Sequence, residues 1–221
     1  MTQAEIVEQT RRHVEVQLRA ETNAHDWWHV YRVWHLAMHL SEQEKGSDLF
    51  IVQLGALLHD IADWKFHDGD IEAGPRVATE WLQSLKVDEK TIEKVAYIVR
   101  NVSFRGGTNT HVMQSIEGKI VQDADRLDAI GAIGIARTFT FGGSFGREMY
   151  DPNMKPQEIT GSFEQYQKSM VNSTTINHFY EKLLLLKDKL NTESAKRVAQ
   201  KRHVYMEAFL EEFYAEWEGI Q

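Results

Sequence analysis

Proline is nearly missing from this chain: only Pro75, Pro152 and Pro156 interrupt its 221 residues. No other residue bars a helix interior so strongly, because its ring removes an N–H donor and clashes with the preceding turn. The stretches before Pro75 and after Pro156 are therefore free to run as long helices, and their Leu, Ala, Glu, Lys and Gln content favours that. Apolar residues recur at helical spacing and show little strict alternation, so the expected fold class is all-α.

The spacing predicts a first helix over Ala4 to Ala20, with Ile6, Val7, Val14 and Leu18 inward, and a second from about His25 to Glu44. After the Lys45-Gly46-Ser47-Asp48 turn, a third runs from about Leu49 to Ala62. Trp64 to Gly74 reads as a loop, Pro75 sits early in the next helix, and Asp88 is set to cap a helix through Val99. Ser103 to Thr110 is again a loop, and Met113 to Thr138 is expected as one helix. Phe141 to Ser173, with four glycines and two prolines, reads as a lid-like segment. Two helices, about Thr175 to Leu190 and Glu193 to Trp217, end the chain. No repeat or linker divides it, so residues 1–221 are expected as a single domain.

Composition excludes several chemistries. With no Cys, there is no disulfide, thiolate ligand or Cys nucleophile, and any metal site must use His nitrogen and carboxylate oxygen. A formal charge of -8 argues against binding along a nucleic-acid backbone, and no stretch approaches the ~18 apolar residues of a membrane span. A cytoplasmic protein is expected, with no signal-type apolar run at its N-terminus. The Gly142-Gly143-Ser144 segment lacks the spacing of a phosphate-cradling loop, and no Ser stands in a nucleophile-elbow word.

The chemistry concentrates in Leu54 to Trp64, where an apolar run ends in His59-Asp60 with Asp63 three residues on. A buried imidazole and carboxylate need a partner, and a divalent cation supplies one. His25, His29 and Arg32 share one helical face, and three carboxylates, Asp123, Asp125 and Asp128, interrupt the apolar faces of a later helix. One His, an adjacent His-Asp and a later Asp make a set of two nitrogens and two oxygens that suits first-row dications.

The order His29, His59-Asp60, Asp125 resembles the H…HD…D signature of the HD-domain metal-dependent phosphohydrolases. The words His25 to Val33, Leu57 to Asp63, Val121 to Gly131, Phe141 to Ser144 and His178 to Leu183 are similar to one bacterial branch of that superfamily. The resemblance implies an all-α HD helical bundle, with a core over about 25–130 and C-terminal helices over about 175–217 packed on it. It also implies one divalent metal ion (Mn, Ni, Co, Fe or Mg) and hydrolysis of phosphate esters or anhydrides.

Within the motif, His29, His59, Asp60 and Asp125 match the metal positions. Asp125 is preferred to Asp123 because Ala124-Asp125-Arg126-Leu127 aligns with the family's Ala-Asp-basic-Leu word, which leaves Asp123 and Asp128 as supporting or capping carboxylates. Asp63 stands where several relatives carry Glu, and its expected role is catalytic: it orients the water that attacks phosphorus in line. Lys65 and Arg126 are the expected substrate-binding cations, with Arg32, Arg105, Arg147 and Lys182 behind them.

The branch implies a nucleotide phosphohydrolase, foremost one that converts a (deoxy)nucleoside triphosphate to the monophosphate and pyrophosphate. A phosphomonoesterase or 5'-nucleotidase is the alternative, and an oxidative dimetal enzyme or a silent regulatory module stands further back. The expected partner is a small phosphorylated molecule, with neither nucleic-acid polymer nor membrane, and self-association into a homo-oligomer is compatible with all of this.

Overall fold

Side-chain caps decide where most of the helices begin. In the computed structural model, which describes residues 1–19, 26–62, 70–102, 112–157 and 173–220, Thr2 and Glu5 form a reciprocal capping box at the start of α1 (Gln3–Leu18). Asp26 caps α2 (Trp27–Ser41) and Asp48 caps α3 (Leu49–Leu58) through backbone N–H groups. Pro75 lies in the first turn of α4 (Ala73–Ser84), and Asp88 accepts from the Thr91 N–H at 3.1 Å ahead of α5 (Glu89–Val102). Then come α6 (Ile116–Asp128), α7 (Gly131–Ser144), the short α8 (Asn177–Glu181), a 3-10 helix (Leu183–Lys189) and α9 (Glu193–Trp217), which Thr192 caps. The described residues contain no strand, and the fold is all-α.

The chain divides into two compact units, one holding α1 to α5 with α6 up to Asp125, the other holding the chain from Arg126 onward. In the first, α3 is the central element: Leu54, Ala56, Leu57 and Leu58 are fully buried, and α1, α2 and α5 pack around it. Gly55 makes this possible, since a Cβ there would already stand 3.2 Å from the Ile98 methyl on α5 and 3.5 Å from Val121 on α6. In the second unit, α7 and the 3-10 helix pack on α9. Phe179 stacks on Phe209 with centroids 5.8 Å apart, and Met206, Leu186 and Leu190 are buried in the same unit.

Four expectations about the elements are corrected. The helix expected over Met113 to Thr138 is two helices, because Ile130 is extended (φ -129, ψ 162) and Gly131 has φ +78. Arg202 lies against Gly131 so closely that a Cβ there would be 2.9 Å from its Cγ, and the Arg202 guanidinium donates to the Leu127 carbonyl at the end of α6. The lid-like segment starts as helix: Phe141 to Ser144 form the last turn of α7, 145–157 follow as turns, and 158–172 lie outside the described residues. The helix expected over Thr175 to Leu190 is a five-residue α-helix and a 3-10 helix joined at Lys182, whose ψ of -57 with φ -141 breaks the ladder. Finally, α3 stops at Leu58, and Ile61 N–H donates to the Leu58 carbonyl in a tight turn, so His59 and Asp60 follow the helix and do not belong to its last turn.

Candidate metal centre

His59 emerges from the buried end of α3 with helical dihedrals (φ -58, ψ -32) and is itself 4% exposed. Its Nδ1 lies 2.8 Å from the Ala56 carbonyl, which can only accept, so Nδ1 carries the hydrogen and the Nε2 lone pair points the other way. His29 enters the same space from the first turn of α2, where its backbone N–H donates to the Asp26 carboxylate at 2.9 Å. Asp26 thus does two things: it caps the helix and fixes the turn that carries His29.

The two Nε2 atoms are 3.3 Å apart. Asp60 Oδ2 is 3.4 Å from each of them, and Asp125 Oδ1 on α6 is 3.4 Å from His29 Nε2 and 4.0 Å from His59 Nε2. Donors bound to one ion at about 2.1 Å stand about 3.4 Å apart in a tetrahedron, and about 3.0 or 4.2 Å apart in an octahedron. The observed separations fall in that range, and the donor atoms of His29, His59 and Asp125 all lie within 4.8 Å of one another. The two imidazole nitrogens and the Asp125 oxygen therefore fit a single first-row dication, and Asp60 Oδ2 lies 3.4 Å from both nitrogens.

Electrostatics points the same way. Burial pushes the His59 imidazole toward its neutral form, but the charge and hydrogen bond of Asp60, then the charge of Asp125, outweigh it and hold the group above its ordinary value. Burial would raise the Asp125 carboxyl, yet its hydrogen bond with His29 and the charges of His59 and His29 hold it below the usual carboxylate range. A buried carboxylate, Asp60, and a half-buried one, Asp125, facing two imidazoles create a site that wants positive charge; a proton supplies some of it, and a dication would supply more.

The remaining expected residues fall elsewhere. Asp123 is fully buried but projects about 160° around α6 from Asp125, outside the donor group. Asp128 pairs with Arg137. Arg126 donates to the Lys189 carbonyl in the second unit. Asp63, Lys65, His25, His67, His111, Arg105, Trp64 and Phe104 lie outside the described residues. Two partners of the donors were not singled out from sequence. Asp26 carried a readable signal, an Asp three residues before His29 at a helix start, whereas the Ala56 carbonyl carried none.

The HD domain family model matches residues 27–130, a span that runs from just before His29 to just after Asp125. The crystal structure of an HD-superfamily hydrolase from Bacillus thuringiensis is 44% identical and superposes with a TM-score of 0.76, covering 98% of this chain and 99% of that one. The chain belongs to the HD superfamily. Another relative of this HD protein is YpgQ of Bacillus subtilis, 38% identical over all 221 residues and 98% of its own length. The crystal structure of YpgQ in complex with ADP has a TM-score of 0.76 and covers 98% of this chain and 97% of that one. Membership makes the HD protein a hydrolase of the metal-dependent phosphohydrolase superfamily. None of its described helices is long and apolar enough to cross a membrane.

Proposed function

We propose that this HD protein hydrolyses nucleotides, foremost a (deoxy)nucleoside triphosphate to the monophosphate and pyrophosphate, with His29, His59, Asp60 and Asp125 holding one divalent ion. The observation that carries this reading is that His29 Nε2, His59 Nε2 and Asp125 Oδ1 converge within 3.3 to 4.0 Å, with Asp60 Oδ2 3.4 Å from both nitrogens. When bound, the dication would supply Lewis acidity, polarising a phosphoryl oxygen and making water a better nucleophile at neutral pH. The nucleotide part is supported by YpgQ, which has been crystallised with ADP.

The chain's own residues do the positioning. The Ala56 carbonyl holds His59 in the tautomer that presents Nε2, and Asp26 sets the turn bearing His29. Asp63 is proposed to orient the attacking water and receive its proton, with Lys65 meeting phosphate charge. Asp26→Ala is expected to lower stability by about 1 kcal/mol, as for other lost caps. It should also weaken metal binding by about 10-fold through the looser His29, and a urea midpoint and a metal titration read the two effects separately.

The deciding experiment strips the purified protein of metal and reloads it with Mn, Co, Ni or Mg. It then offers nucleoside tri-, di- and monophosphates and simple phosphate esters, with pyrophosphate resolved from orthophosphate. Pyrophosphate from triphosphates is the expected product. Orthophosphate from monophosphates would replace this reading with a phosphomonoesterase, and no turnover with any metal would sink both.

A further inference from the structure

A complete capping box needs an acceptor side chain three residues past the cap, reaching back to the N–H of the cap residue itself. In α1 the chain supplies it locally, with Thr2 N–H donating to the Glu5 carboxylate at 2.8 Å. In α3 it does not. Asp48 accepts from the Phe50 N–H at 3.0 Å, but the residue three positions on is Ile51, 2% exposed and without an acceptor. The missing acceptor comes from α6: Glu117 Oε1 takes the Asp48 N–H at 3.2 Å, from 69 residues along the chain.

Glu117 is 8% exposed, and its carboxylate is offset by two helix starts. It lies in the first turn of α6, where the Ser115 hydroxyl accepts from the Gly118 N–H at 3.1 Å, and it meets the start of α3 through Asp48. Glu117, Val121 and Asp125 follow one another at four-residue spacing and share one side of α6. Each meets a different level of α3. Glu117 meets Asp48 at its start, the Val121 methyl stands 3.5 Å from where a Cβ on Gly55 would lie, and Asp125 Oδ1 is 4.0 Å from His59 Nε2 just past its end. Every residue of α3 from Phe50 to Leu58 except Gln53 is buried, so the helix moves as a packed rod and a displacement at Asp48 is felt at His59.

We infer that Glu117 is a positioning residue for the metal centre: by closing the α3 capping box from α6, it sets the register in which His59 and Asp125 face one another. This role presupposes the metal site proposed above and no other part of that function. It depends on the reach of the side chain, which can be varied apart from its charge. Glu117→Asp keeps the carboxylate on an arm one methylene shorter, whereas Glu117→Gln keeps the length and an acceptor oxygen without the charge.

Co2+ is titrated into metal-free full-length protein against a competing chelator and followed by its visible absorption, which reports the ligand geometry. Glu117→Asp and Glu117→Ala are each expected to weaken binding about 10-fold, as for other lost partners of metal ligands, and Glu117→Gln to stay within about threefold of wild type. Thr2→Ala opens the α1 box instead; it should lower the urea midpoint as other lost caps do and bind Co2+ as wild type does, which separates register from stability. Binding by Glu117→Asp within about twofold of wild type, or losses as large in Glu117→Gln or Thr2→Ala as in Glu117→Asp, overturns the role. Glu117→Asp and Glu117→Gln decide the matter by themselves if Glu117→Ala does not fold. Absence of Co2+ binding by wild type would remove the metal centre and the role together, whereas wild-type binding matched by Glu117→Asp removes the role alone.

Discussion

His59→Ala is expected to reduce affinity for a divalent metal by more than about 100-fold, the upper range for losing a residue that merely supports a ligand, while the helical fold persists. The backbone at His59 already has helical dihedrals that Ala adopts freely, and the residue follows α3 without lying inside it, so the apolar packing of Leu54, Leu57 and Leu58 is untouched. What is lost is one donor of the proposed set, together with one of the two imidazoles, after His29, that hold the Asp125 carboxyl low. The two remaining carboxylates then repel each other with one imidazole fewer between them. Asp60→Ala should act similarly, because Asp60 Oδ2 is equidistant, at 3.4 Å, from both imidazole nitrogens. Metal content by mass spectrometry and helicity by circular dichroism read the two halves of the claim. Wild-type metal content in both variants would remove the proposed centre.

The metal-centre residues were legible because their identity is local while only their meeting is not. His59-Asp60 ends an apolar run that must be buried, and Ala124-Asp125-Arg126-Leu127 puts a carboxylate on a helix otherwise committed to the core. Choosing Asp125 over Asp123 needed the resemblance, since helical spacing admits either, and the structure groups Asp125 with the histidines.

The errors have a common cause in contacts far along the chain. Leu127, Ile130 and Ile133 keep helical spacing straight through the α6–α7 break, and what selects the break at Gly131 is Arg202, some 70 residues later. Gly142 and Gly143 should each disfavour a helix by about 1 kcal/mol, but Thr175 needs the space that Gly142 leaves. The run Leu183 to Leu186 has no periodicity at all, so nothing in it distinguishes a 3-10 turn from an α-helix.

Acid should unfold this protein partly through His178. The group's folded value is lowered from 6.5 to about 3, so between those limits the unfolded chain binds a proton that the folded protein refuses. Stability from this source is therefore intact above about pH 6.5 and falls as the pH drops below it, by at most about 1.4 kcal/mol per unit. At pH 5 the ceiling is about 2 kcal/mol, and because the side chain is only partly shielded from solvent the expected loss is nearer 1 kcal/mol. His178→Gln removes this proton from the balance. Comparing urea unfolding at pH 7 and pH 5, the variant should lose about 1 kcal/mol less than wild type, against a common background from the carboxylates. Equal losses in the two proteins would mean that His178 is not held neutral.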